Sequence, residues 1–166
     1  MSVFFRWLIL VGGAYVLQSS ILPLLSWHGI CADLMLLVTV SFAFLRGKHL
    51  GTLMGFLTGL LQDLASGTFF GVNAFSKLLA GYLCGSFSNR VFKEQFFLPV
   101  LASLAATTAN YFILALLMVL LGYRFNPVSS VQAMLIPMLI YQLAFAYPVH
   151  RLTYALDKQL SEKEKH

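Results

Sequence analysis

Four polar side chains stand out from an otherwise apolar chain: Asp33, Asp63, Asn73 and Lys77. A carboxylate and an ammonium within reach of each other form an ion pair. Two such carboxylates at fixed spacing could instead share acid and base roles. No second carboxylate stands at a fixed short spacing from Asp63, and no nucleophile–base–acid set is visible. The histidines, His28, His49, His150 and His166, fall at span ends or at the terminus. Cys31 and Cys84 make neither a metal-ligand spacing nor a disulfide framework. These residue types therefore predict no catalysis, no metal and no bound cofactor. They leave three roles for the charged groups: a structural clasp, a docking or ligand site, or a proton relay.

The elements that must position them are helices in a membrane. The 166 residues are 59% hydrophobic and 10% charged, with a mean hydropathy of +0.81. Soluble domains carry about 25% charged residues. This composition excludes an ordinary soluble domain and predicts one all-α integral membrane domain over residues 1–166. The net charge of +5 lies in short loops between apolar runs. It therefore reads as a topology signal and does not point to nucleic acid.

Six spans are expected, at about 4–25, 31–45, 49–66, 71–89, 96–122 and 131–155. They are broken by SWHG, RGKH, SGTFFG, NRVFKEQ and GYRFNP. The second and third are short, so one of them could be tilted or partly re-entrant. With the N-terminus in the cytoplasm, Arg6, Arg46, Lys48, Arg90, Lys93, Arg151, Lys158, Lys163 and Lys165 lie inside and only Arg124 outside. This bias predicts that both termini are cytoplasmic. The first span has no A-x-A-like cleavage site, so it is expected to be retained. The tail 157–166 is expected to be a solvated helix end.

Winding the third and fourth spans at about 100° per residue sorts their side chains. On 51–66 the small and polar residues, Gly51, Gly55, Thr58, Gly59, Gln62 and Asp63 among them, share one side, and large apolar residues take the other. On 73–88 Asn73, Ser76, Lys77, Gly81, Cys84 and Gly85 likewise share a side. Small residues let helix backbones approach closely in lipid, where burying large apolar groups gains little. Gly47, Gly51, Gly55 and Gly59 are therefore expected to form a ridge. It would pack either within the subunit or against a partner. Gly81 and Gly85 lie on the matching face of the next helix. Buried charges in a membrane face a bundle interior or a partner. Asp63 is expected to bond the hairpin backbone or Asn73 and to pair with Lys77, with Asp33 near by, all in the outer half of the membrane. Asn110, Gln132 and Gln142 are amides that want partners on other helices, and Pro99, Pro137 and Pro148 are tolerable inside spans.

Residues 32–83 resemble the rod shape-determining protein family MreD. The resemblance rests on Asp33-Leu34, Gly51, Gly55-Phe56, Gly59-Leu60, Asp63-Leu64, Ser66-Gly67, Gly71, Asn73-Ala74 and Gly81-Tyr82-Leu83. Ala32 stands where family members often have Pro, and Lys77 is not part of the pattern. The resemblance implies a non-enzymatic scaffold subunit of the bacterial cell-elongation complex in the cytoplasmic membrane. Its implied partners are MreC, with its transmembrane helix and periplasmic domain, the actin-like MreB, and a SEDS glycosyltransferase with its class-B penicillin-binding protein. Membrane lipids complete the list, and homodimer formation is left open. It also implies a fold resembling the S component of energy-coupling-factor transporters. The alternative is thus a substrate-binding S-type subunit for a vitamin or small solute. One further expectation places the MreC anchor helix on the Gly51, Gly55 and Gly59 ridge.

Overall fold

The computed structural model describes residues 3–26, 29–67, 70–88, 97–120, 122 and 131–163. Trp27, His28, Arg90, Lys93, Tyr123, Arg124, Lys165 and His166 lie outside the described residues. Six helical segments, and no strand, are found among the described residues. Helix α1 comprises Val3–Val16, a wide turn at Leu17–Ile21 and Leu22–Leu25. It is followed by α2 (Leu34–Arg46), α3 (Lys48–Ser66), α4 (Val72–Ser86) and α5 (Phe97–Leu120). Helix α6 opens with a wide turn, Val131–Leu135, and continues through Ile136–Lys163.

Both wide turns have the same local cause. Pro23 lacks the N–H that the Ser19 carbonyl would accept, and Pro137 lacks the one for Ala133. Ser19 lies within Leu17–Ile21 and Ala133 within Val131–Leu135. The ladder shifts by one residue there, and the Leu22 N–H reaches back to the Leu17 carbonyl. Pro99 avoids the problem by standing in the first turn of α5.

Helix α2 is the axis of the bundle. Every residue from Leu34 to Leu45 is buried, and all five other helices pack on it. Its 13 residues rise only about 20 Å. That is shorter than the hydrocarbon core of a bilayer, about 30 Å, and tolerable because protein surrounds both ends. Trp7, Met35, Val38, Phe42 and Met54 join α1, α2 and α3, with the Trp7 ring edge-on to Phe42 at 4.5 Å. Leu36, Val40, Cys84 and Ala106 join α2, α4 and α5. Leu22, Leu34, Leu37 and Ala146 join α1, α2 and α6.

Outer surfaces are apolar. On α3 the buried residues are Gly51, Met54, Gly55, Thr58, Gly59 and Asp63, while Leu53 is 54% and Leu64 67% exposed. A soluble helix would be arranged the other way round. Two stretches, Phe5–Leu24 and Gln132–Gln159, are long and apolar enough to cross a membrane, and Leu34–Arg46 and Phe97–Ile113 are shorter apolar helices.

The last helix runs past the expected end at 155, to Lys163. Its tail is not wholly solvated: Asp157 is buried and its Oδ1 accepts from Arg46 Nε at 2.5 Å. This contact ties the end of α2 to α6. Gly47 separates α2 from α3 alone, at a φ of 86° that only glycine adopts without strain. A Cβ there would meet nothing within 4 Å. Gly47 therefore serves the turn, and its backbone also lies close to Gly85, where a Cβ would stand 2.8 Å from the Gly47 carbonyl carbon.

Candidate functional site

The α3–α4 hairpin brings backbones together. A Cβ on Gly55 would overlap the Lys77 carbonyl, and one on Gly81 the Gly51 carbonyl. A Cβ on Gly59 would stand 2.5 Å from Ala74 Cα, and one on Gly85 2.5 Å from Lys48 Cα. Gly51 would meet Ala43 of α2 as well. All five glycines thus face helices of the same chain. The ridge is not available to an MreC anchor helix, because α4 already covers it.

At the turn of this hairpin lies Asp63, 2% exposed. Its Oδ1 accepts from the Asn73 backbone N–H at 3.1 Å and from Asn73 Nδ2 at 2.9 Å. Its Oδ2 accepts from Gly71 N at 2.9 Å and Ala74 N at 3.0 Å. Three of these donors are the free backbone amides that begin α4, where the helix dipole also favours an anion. Four hydrogen bonds satisfy the carboxylate without a cation.

Lys77 does not pair with Asp63. Its Nζ donates to Asp33 Oδ2 at 2.6 Å. Lys77 is 0% and Asp33 5% exposed. The reason is direction: Lys77 stands one turn inside α4, on the face that packs on α2, while Asp63 caps the end of that helix. The other oxygen of Asp33 accepts from Leu36 N at 3.0 Å, which caps α2.

Two further amides complete this end of α2. The Asp33 N–H donates to Gln142 Oε1 at 3.0 Å, and Gln142 Nε2 donates back to the Asp33 carbonyl at 3.3 Å. Gln18 Oε1 accepts from Met35 N at 3.1 Å. The N-terminus of α2 is thus tied to α1, α4 and α6 together. Gln142 was expected to seek a partner on another helix. Gln18 carries a single sequence signal, an amide within an apolar run. Asn110 accepts from Ser76, joining α5 to α4; Thr39 and Thr58 hydroxyls meet at 2.7 Å between α2 and α3. Gln132 is exposed.

Chemically, the arrangement is closed. Both carboxylates and the ammonium are consumed by partners within the chain. No three His, Cys, Asp or Glu residues come together among the described residues. Asp63→Ala leaves three backbone amides of α4 without an acceptor. It is expected to cost about 2 kcal/mol and to speed amide exchange at Gly71, Asn73 and Ala74. Unchanged exchange there would show that the carboxylate does not cap the helix.

Five helices around a sixth, short and buried, with large apolar residues on the outer faces, define a small all-helical protein, and its two long apolar helices suit a membrane. The family model of the rod shape-determining protein MreD matches residues 1–158. The chain belongs to that family, and its role is in rod-shape determination. The match reaches well beyond the 32–83 stretch, into the last two helices. No curated protein and no solved structure gives a significant match.

Proposed function

We propose that this chain is a non-enzymatic scaffold subunit of the bacterial cell-elongation complex. In this reading it is a six-span protein of the cytoplasmic membrane with both termini inside. It binds MreC and, with MreB and the SEDS glycosyltransferase–penicillin-binding protein pair, supports lateral peptidoglycan synthesis. The family match over residues 1–158 carries the reading. The positive-inside count supports the orientation, which places the Asp63 clasp in the outer half of the bilayer. The polar groups are spent on internal contacts, so partner binding falls to the outer helix faces.

The alternative is a transport subunit with a fold like that of energy-coupling-factor S components. It requires polar groups that reach a solute from outside. Sealing of Asp33, Asp63 and Lys77 inside the bundle weighs against it. A detergent pull-down from native cells, read by mass spectrometry, tests the two. Recovery of MreC with the synthase pair is the expected result. Recovery of an ATPase module, or saturable binding of a vitamin in equilibrium dialysis, would overturn the scaffold reading.

A further inference from the structure

Helix α1 is anchored along α2 and leaves a groove between itself and α3. Trp7, Val11, Leu53, Leu57 and Leu64 are among its apolar walls, and it encloses about 560 Å³. Among the described residues, Arg46 is the only charged one lining it. Its side chain is 21% exposed. Nε is engaged by Asp157, but Nη2 is buried and has no hydrogen-bond partner among the described residues. Nη2 is closed off by the protein, so a head group reaches this cation at its exposed part. Lys48 and His49, both exposed, follow Arg46 at the same end of the bundle. The carboxylate of Asp157 offsets one of these charges and leaves the end cationic.

Shape decides which occupant fits. From Leu50 to Leu64 the groove follows α3 for about 21 Å at about 1.5 Å per residue. That exceeds one leaflet, half of a core about 30 Å thick. Its walls are apolar and a cation stands at one end, a pattern that matches an acyl chain beneath an anionic head group. A guanidinium attracts a phosphate group through its charge and a charge-assisted hydrogen bond.

We propose that the α1–α3 groove binds an anionic phospholipid, one acyl chain lying along α3 and the phosphate held by Arg46. The lipid belongs to the leaflet on the Arg46 side, the cytoplasmic one in the orientation proposed above. The inference rests on the membrane reading but not on the choice of partner proteins. A lipid held there would fill the space between α1 and α3 and steady α1 against the bundle.

The test uses the full chain with Trp27→Phe, which leaves Trp7 as its sole tryptophan, in phosphatidylcholine bilayers. Brominated phosphatidylglycerol or brominated phosphatidylcholine is titrated in as a quencher. Half-quenching of Trp7 is expected at about a tenfold lower mole fraction of the anionic lipid, the factor for one charge-assisted hydrogen bond. Arg46→Gln removes this preference. Asp157→Asn keeps it, because it breaks the same ion pair while leaving the guanidinium in place; this separates head-group binding from loss of structure. Leu57→Phe narrows the groove away from Arg46 and raises the half-quenching fraction of the anionic lipid. Equal quenching by the two lipids in the parent protein, or a preference that survives Arg46→Gln, would overturn the lipid site alone. So would a Trp7 that neither lipid quenches, which would mean that protein fills the groove. Failure to incorporate into bilayers at all would overturn the membrane reading with it.

Discussion

Lys77→Met on its own is expected to destabilise the protein by about 3–5 kcal/mol, and adding Asp33→Asn should restore most of the loss. Lys77 is wholly enclosed, so its ammonium cannot reach water. Removing it strands the Asp33 carboxylate next to apolar α2 residues. The double variant leaves no charge behind. Asparagine retains an oxygen for the Leu36 amide, and methionine fills the lysine stem. A buried pair of this kind contributes little net stability against an apolar replacement of similar shape, yet breaking it from one side is expensive. Unfolding by denaturing detergent, followed by circular dichroism, measures all three variants. A double variant as unstable as the worse single would show that the pair is held by more than mutual neutralisation. Asp63→Asn combined with Lys77→Met should be additive within about 0.5 kcal/mol, since the two residues share no partner. Strong coupling between 63 and 77 would contradict the assignment of Lys77 to Asp33.

The second large effect concerns the hairpin. Gly55→Leu is expected to yield no stably folded protein, and Gly55→Ala or Gly81→Ala to cost at least about 1–3 kcal/mol, the range for overpacking. The neighbour that must move is backbone in each case: the Lys77 carbonyl for Gly55 and the Gly51 carbonyl for Gly81. No rotamer change relieves such a contact. Gly12→Ala and Gly13→Ala are the matched controls. A Cβ at either would meet nothing within 4 Å, and alanine favours helix over glycine by up to about 1 kcal/mol. Thermal stability of the purified variants checks the contrast. A Gly55→Ala protein as stable as the parent would mean that α3 and α4 do not pack this closely. The same geometry changes how the glycine variants bear on partners. Loss of MreC co-purification in Gly55→Leu would report a broken hairpin and would not locate an MreC surface.

Much of the architecture was legible because lipid imposes simple rules. Long apolar runs mark helices, and the segregation of Gly51, Gly55 and Gly59 from Leu53, Phe56 and Leu57 marks the packed face of α3. The Asp63 contact with Asn73 followed from their placement on either side of a short turn. Local chemistry explains the wide turns too, since each stands where a proline withholds one amide. Contacts of long range were less accessible. Arg46 and Asp157 are separated by 111 residues, and Asp33 and Gln142 by 109. Nothing in either neighbourhood names the other.

The amino-acid sequence by itself determined the class of protein, the helices, the face that each of α3 and α4 turns inward, and the family. These depend on hydropathy, periodicity and a local order of glycines and polar residues. Tertiary structure alone decided which carboxylate takes Lys77. Two acids, Asp33 and Asp63, were equally eligible by charge. The choice was made by the direction of one side chain on α4 and by the amides that had already satisfied Asp63. It also decided that the glycine ridge is spent within the chain. A small-residue face records that something packs closely there, but the identity of the neighbour depends on how the helices are arranged in space.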